Sequence, residues 1–183
     1  CAETEKFPHV TFFFNDYKED TFTGESRLLV PSPTEVATYD QQPEMSAEFV
    51  CDGVLAQLAS DDCPTVLIVN FANADMVGHT GNFEAIVKAV EVVDKYCGKI
   101  IDATMAVGGS VIVTADHGNV ERTWNCETNS PDTAHTTYDV PLHIVGIDCE
   151  LREHGILADI APTILQLIAL PKPEEMTGTS LIC

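Results

Sequence analysis

Uncharged runs of apolar residues alternate, along the middle of the chain, with a segment that repeats apolar positions every three or four residues. The runs Thr65–Asn70 and Ser110–Ala115 are rich in β-branched residues, which is typical of buried strands. Between them, apolar side chains recur at helical spacing from about Asn82 to Val107, where Gly108 and Gly109 follow. This order predicts a right-handed βαβ unit with parallel strands.

Further elements are predicted on both sides of this unit. Ser46 lies where a helix N-cap belongs, and apolar residues at helical spacing follow it until Asp61. A second helix begins at Asp159, with Pro162 tolerated in its first turn. Strands are expected at His9–Phe14, Arg27–Val30 and Pro141–Gly146, and Pro31–Pro43 is expected to be a long irregular loop. These elements predict one α/β domain over residues 1–183, with a mostly parallel sheet flanked by helices.

The charge balance narrows the class of partner. The chain carries 29 acidic against nine basic residues, a net charge of −20, which argues against nucleic acids and anionic membrane surfaces. No apolar run approaches the length of a membrane span. An anionic substrate would also be repelled unless bound metal ions or basic residues from elsewhere offset this charge.

The cysteines indicate the compartment. The seven cysteines are an odd number and form neither a C-x-x-C pair nor a regular spacing, which favours free thiols. The first residues, Cys1–Lys6, are charged and do not resemble a signal peptide. Together these features predict a reducing, cytoplasmic setting.

Candidate metal ligands follow both predicted strands of the βαβ unit. Asp116 and His117 come directly after one strand, and Asp75 and His79 follow the other, four residues apart. Over one helical turn that spacing places both side chains on the same side. The alternative for each pair is an aspartate that caps the next segment and a histidine at the surface. His135, in a polar loop, is a fifth candidate, whereas His9 and His154 are expected at the surface.

These five side chains are expected to meet at one edge of the sheet, because ligands bind beyond the carboxyl ends of parallel strands. Carboxylate oxygen and imidazole nitrogen together favour Mn, Zn, Co or Fe over Ca. Two ions close together could hold the attacking and leaving oxygens of a displacement at phosphorus. Five protein ligands are few for two ions, so waters or another segment would complete the coordination.

Two blocks of the sequence resemble the metal-binding blocks of cofactor-independent phosphoglycerate mutases, which belong to the alkaline phosphatase superfamily. They are NFANADMVGHTGNFEAIVKAVEVVD (Asn70–Asp94) and TADHGNVE (Thr114–Glu121). Similar stretches extend the resemblance, in order, over nearly the whole chain: AETEKFPHVTFFFN, RLLVPSPTEVATYDQQPEMSA, TAHTTYDVPLHIVG and ADIAPTILQLIALPKPEEMTGTSLI. Phosphopentomutases share the ADHG block, but the QPEMSA and DMVGHTG blocks favour the glycerate enzymes.

The resemblance implies an alkaline-phosphatase-like fold that is incomplete here, together with two divalent metal ions. Asp75, His79 and His135 match the ligands of one ion, and Asp116 and His117 match ligands of the second. The resemblance favours Mn, with Co, Mg and Zn as alternatives. It also implies interconversion of 3-phosphoglycerate and 2-phosphoglycerate through a phosphoserine, in glycolysis and gluconeogenesis.

Other parts of the family pattern are absent from this chain. Lys6 matches a lysine that contacts the phosphoryl group and the nucleophilic serine, but none of the serines stands in the nucleophile's context. An N-terminal piece with a further metal-ligand aspartate, and the inserted substrate-binding domain with its arginines, are also missing. Asn15 and Asp16 replace two glycines common in the family, so that loop is expected to differ.

The resemblance therefore predicts the C-terminal part of a split, metal-binding phosphatase domain, inactive without the missing portion. Loss of a strand would leave an exposed sheet edge, so we expect the chain to be marginally stable, metal-stabilised or prone to associate. Two alternatives remain: a non-catalytic metal-binding module, and a stand-alone phosphatase of the same superfamily that uses water as its nucleophile.

Overall fold

Helices supply most of the regular structure in the computed structural model, which describes all residues from Cys1 to Cys183. The five α-helices are α1 (Phe7–Val10), α2 (Ala47–Leu58), α3 (Asn73–Gly78), α4 (Phe83–Ala106) and α5 (Ile160–Leu167). Short 3₁₀ turns lie at Thr4–Lys6, Tyr39–Gln41 and Leu157–Asp159. The predicted helices after Ser46, after Asn82 and after Asp159 are therefore confirmed.

The strands are short and form three two-stranded sheets. They are β1 (Ala2–Glu3), β2 (Leu29–Val30), β3 (Val111–Thr114), β4 (Trp124–Asn125), β5 (Ser130–Pro131) and β6 (Leu142–Val145). β1 and β2 are parallel, whereas β3 pairs with β6, and β4 with β5, in antiparallel fashion. The α/β class is confirmed, although these separate sheets replace the single, mostly parallel sheet that was expected.

The prediction of a parallel βαβ unit is wrong in the pairing of its strands. In the segment 65–70 only Asn70 pairs, through a single parallel bridge to Ala2, and β3 has β6 as its sole neighbour. The segment is also not buried, since 40% of Val66 is exposed. The N-terminal ammonium of Cys1 donates to the Ile68 carbonyl at 2.7 Å. A strand needs a hydrogen-bonded neighbour along its whole length, however, and no strand is paired along residues 65–69 or along the second edge of β3.

The strand expected at His9–Phe14 is also wrong, because a helical turn takes its place. Pro8 lies in the first turn of α1, where its fixed φ favours a helix and its missing N–H costs nothing. The backbone N–H of Phe13 then donates to the Pro8 carbonyl at 2.9 Å. Asp16 and Tyr17 follow in the left-handed region, with φ of 55° and 61°.

The core lies between α4 and the two helices that precede it. Ala85, Ile86 and Ala89 of α4 pack against α3 and Met45, and further along the helix Val92 and Tyr96 pack against α2. Only 32 of 183 residues are buried, so most apolar side chains outside this core remain partly or fully accessible. None of the helices combines the length and apolarity that a membrane span requires.

Candidate metal centre

Helix α3 brings together the first two candidate ligands. Asp75 lies in its first turn and His79 is its C-cap, so the two side chains point to the same side of one helical turn. Asp75 Oδ1 lies 3.1 Å from His79 Nε2. The single bridge between Asn70 and Ala2 fixes the start of this segment beside β1. The one-turn geometry expected for this pair is therefore confirmed.

His135 completes a cluster of three side chains with this pair. Its Nε2 lies 3.0 Å from Asp75 Oδ1 and 3.2 Å from His79 Nε2. The three ligand atoms all lie within 4.8 Å of one another. His135 comes from the loop between β5 and β6, which is held by the backbone N–H of Thr136 donating to the Gly118 carbonyl at 2.8 Å.

The donor set of this cluster fits a divalent cation. His79 Nδ1 lies 2.7 Å from the Thr133 carbonyl, which can only accept, so Nδ1 carries the proton of the neutral ring and Nε2 presents a lone pair. That lone pair faces a carboxylate oxygen and a second imidazole nitrogen. Separations near 3 Å are those of neighbouring ligands that each lie about 2.1 Å from one ion. A cation would remove the repulsion among these three groups.

Lys6 and Asp75 form an ion pair beside the cluster, and both side chains are largely buried. Lys6 bonds to Oδ2 of Asp75, so Oδ1 remains directed at the two imidazoles. Burial raises the pKa of Asp75, but the hydrogen bonds from Lys6 and Asn119 and the charge of Lys6 outweigh it and lower that pKa to about 2. Asp75 is therefore ionised throughout the neutral range.

Asn119 is a further residue of the site that its sequence context alone did not predict. Its buried Nδ2 donates to Asp75 Oδ1 at 2.7 Å, which orients the carboxylate from the side opposite Lys6. Gly78 makes this approach possible, because a Cβ there would lie 2.6 Å from Asn119 Oδ1. The sequence signal was faint: Asn119 directly follows the ADHG block, but only the fold brings it next to α3.

Asp116 and His117 lie next to the three-residue cluster. The His117 ring stacks on that of His135 with 3.7 Å between centroids and 19° between planes. Asp116 Oδ2 lies 3.5 Å from His117 Nε2, and 57% of the Asp116 side chain is exposed. The structure thus brings all five predicted ligands together, three in one tight cluster and two beside it. Their division between two ions remains a prediction.

A second hydrogen-bond network, centred on Glu121, joins the loop that follows β3 to the loop that carries His135. Glu121 accepts the backbone N–H of Asn119 at 2.7 Å and also the hydroxyl of Thr136. Gly118 lies between these groups, and a Cβ at that position would overlap both the Thr136 hydroxyl and the Glu121 carboxylate. The ADHG block therefore needs glycine here because the loop that carries His135 approaches so closely.

All three arginines form ion pairs with carboxylates that do not belong to the three-residue cluster. Each of the three guanidinium groups bonds to a carboxylate close in the sequence, at distances of 2.5 to 2.8 Å. The pairs are Arg27 with Glu25, Arg122 with Asp132 and Arg152 with Asp159. Lys6 is therefore the basic side chain that this chain supplies beside the cluster.

The fold and the site together define a class of protein. The chain belongs to the metalloenzyme superfamily, whose family model matches residues 1–172. Among its curated relatives are 2,3-bisphosphoglycerate-independent phosphoglycerate mutases. The enzyme of Rhodopirellula baltica is 57% identical over 100% of this chain, and that of Clostridium botulinum is 57% identical over 99%. The enzyme of Pseudomonas fluorescens is 55% identical over 99% of this chain.

A solved structure shows the same relationship. Phosphoglycerate mutase of Leishmania mexicana, crystallised at low cobalt concentration, matches all of this chain with a TM-score of 0.89 at 32% identity. The match covers 36% of that chain, and this chain spans 34% to 35% of the curated relatives. It therefore corresponds to about one third of the enzymes that it resembles.

Proposed function

We propose that this chain is the metal-binding part of a phosphoglycerate mutase, which in its intact form interconverts 3-phosphoglycerate and 2-phosphoglycerate. The observation that carries this proposal is the convergence of Asp75, His79 and His135 on one point, with Lys6 beside it. The names of the relatives support it. Because the chain spans one third of those relatives, we assign the nucleophile and most of the substrate contacts to the remaining two thirds, which would be its partner.

The metal ligands are part of the same proposal. Asp75, His79 and His135 would hold one divalent ion, and Asp116 and His117 would supply part of a second site. A bound ion acts as a Lewis acid, which polarises a phosphoryl oxygen and neutralises charge on the transferring group. We propose Mn, because mixed carboxylate and imidazole ligands suit it; Co, Mg and Zn are the alternatives.

Lys6 would act directly on the substrate. Its ammonium is held in place by Asp75 and shielded from solvent, so its charge acts in a medium of lower dielectric than water. There it can donate hydrogen bonds to phosphoryl oxygens, and such charge-assisted bonds are roughly twice as strong as neutral ones. With the arginines engaged elsewhere, carboxylate recognition would fall to the missing portion.

We place this activity in the cytoplasm, as part of glycolysis and gluconeogenesis. All seven cysteines are free thiols in the structure, and burial raises the pKa of Cys51 and Cys97 and so keeps those two protonated. Free thiols are typical of a reducing compartment.

A turnover assay with the metal-loaded chain tests this function. The chain is incubated with Mn and 3-phosphoglycerate, formation of 2-phosphoglycerate is followed by a coupled assay, and metal binding is measured in parallel by calorimetry. Asp116→Ala serves as the comparison. We expect bound metal without turnover. Turnover that Asp116→Ala abolishes would contradict the assignment of the nucleophile to another segment, and failure to bind any divalent metal would overturn the metal centre itself.

A further inference from the structure

His9 lies on the same side of the chain as Lys6. The 3₁₀ turn Thr4–Lys6 continues directly into α1, so residues 6 and 9 are separated by about one helical turn and project in similar directions. Since Lys6 contacts Asp75, this geometry directs His9 towards the metal centre. His9 was expected at the surface, but its side chain is half-buried.

The ring of His9 has no hydrogen-bond partner within the protein. Nδ1 is fully enclosed and yet unpaired, which is uncommon for a buried polar atom. The ring is held by an edge-to-face contact with Phe13, whose centroid lies 5.6 Å away at an interplanar angle of 68°. An apolar contact thus fixes the orientation of the imidazole. Nδ1 is closed to any group from outside the chain, so the ring nitrogen left for such a group is Nε2, which also has no partner in the protein.

The charged groups around His9 are those of the metal centre. Burial lowers the pKa of His9, Lys6 and His117 lower it further, and Asp116 and Asp75 act in the opposite direction. These neighbours come from all three segments that carry the candidate site: the 3₁₀ turn, α3 and the loop after β3. His9 is therefore close enough to both ligand groups for their charges to act on it, and it belongs to neither group.

We propose that His9 is a further substrate-contacting residue, whose Nε2 donates a hydrogen bond to an oxygen of the phosphoryl group held between Lys6 and the metal centre. A neutral imidazole always carries one N–H, so it can supply this bond without adding charge. The ligand class is a tetrahedral oxyanion, with inorganic phosphate as its simplest member. This role rests on the proposed function, since it requires a phosphoryl group to enter the site.

Phosphate binding to the Mn-loaded chain tests this role. Broadening of the phosphorus resonance of inorganic phosphate by Mn gives its dissociation constant for the parent chain and three variants. We expect His9→Ala to weaken phosphate binding about tenfold, the loss expected for one hydrogen bond to a charged group. His9→Gln, whose side-chain amide places an N–H donor at a similar distance from the backbone, should keep most of the phosphate affinity of the parent chain. His154→Ala, at an exposed histidine, should bind phosphate like the parent chain.

Manganese affinity, measured on the same variants, separates a contact with phosphate from an effect on the fold or the metal. We expect it to change less than about twofold in His9→Ala. Unchanged phosphate binding in that variant would overturn the role of His9 while leaving the proposed function intact. Equal losses of phosphate affinity in His9→Ala and His9→Gln, together with a loss of manganese affinity, would also overturn the role of His9. If the parent chain binds manganese but no phosphate, the proposed phosphoryl site fails and His9 fails with it.

Discussion

At the scale of single residues, the carboxylate of Asp75 is shared among four partners. Lys6 bonds to Oδ2, and Asn119 and the two imidazoles of His79 and His135 surround Oδ1. This arrangement leaves the carboxylate little rotational freedom and keeps it ionised. A ligand held in this way meets an incoming ion without reorganising, which favours tight binding.

Asp75→Asn should weaken Mn binding at least about tenfold, since roughly tenfold is the smallest loss expected even for residues that only orient a metal ligand. The amide has nearly the same shape but lacks the charge that the ion requires. Calorimetric titration of the variant checks this, with Asp102→Asn, at an exposed position of α4, as the matched control. Equal affinities in Asp75→Asn and the parent chain would exclude Asp75 as a ligand.

The buried carboxyl of Glu3 should give the chain a pH-dependent stability. Burial raises its pKa above the ordinary value of 4.5, and the hydrogen bonds from Ser32 and Ser46 offset only part of that increase. A group whose pKa is raised on folding contributes its full stability below the unfolded pKa and loses it as the pH rises through the folded pKa. The carboxylate of Glu3 is therefore a net cost at neutral pH.

Glu3→Gln should remove this cost because it is uncharged and can still bond to both serines. Its free energy of unfolding, relative to the parent chain, should increase between about pH 4 and pH 7. Urea denaturation at several pH values measures the difference, with the exposed Glu153→Gln as control. A difference that does not vary with pH would show that Glu3 keeps its ordinary pKa.

At the scale of elements, helix α4 organises the core with one face and leaves another uncovered. Ile86 is 3% exposed and packs against α3, whereas its neighbour Val87 is 42% exposed. Ile86→Ala should lower the free energy of unfolding by about 2–4 kcal/mol, while Val87→Ala should change it by less than about 0.5 kcal/mol. Urea denaturation compares the two, and similar losses would mean that the exposed face of α4 is covered in solution.

Helices could be predicted from the sequence better than strands, for a physical reason. The spacing of apolar residues that defines α2 and α4 is local, and each helix satisfies its own backbone hydrogen bonds. A strand depends on a neighbour that can come from any part of the chain. Thr65–Asn70 has the composition of a buried strand but lacks that neighbour, and HVTFFF was misjudged because Pro8 starts a helical turn there.

The site shows the same division between local and distant information. The pairing of Asp75 with His79 could be predicted because four residues make one helical turn. The contacts of Asn119 with Asp75 and of the Thr133 carbonyl with His79 join residues 44 and 54 positions apart, so only the folded chain reveals them.

At the scale of the whole molecule, the chain has a small core and several uncovered apolar side chains. Phe14, Tyr17 and Phe83 are each more than half exposed, and the second edge of β3 has no partner. Exposed edges and patches of this kind favour association. Bound metal would join three separate segments at the site and so stabilise the folded chain.

Removal of metal should therefore lower the Tm of the chain. At a metal concentration about 100 times the dissociation constant, binding contributes about 2.7 kcal/mol, which corresponds to a Tm shift of roughly 5–11 °C for a chain of this size. Thermal unfolding followed by circular dichroism, with and without chelator, measures it. Asp75→Asn is the matched control and should show little response to chelator. A high Tm that chelator leaves unchanged would contradict a structural contribution from metal.

The pairing of every arginine with a carboxylate also has a consequence for the rate at which anions reach this chain. A surface with a net charge of −20 and no unpaired guanidinium repels a phosphate ion at long range. Dissolved salt screens that repulsion beyond about 8 Å at physiological ionic strength. Added salt, which usually slows the encounter of an enzyme with a charged substrate, therefore accelerates the encounter of phosphate with this chain.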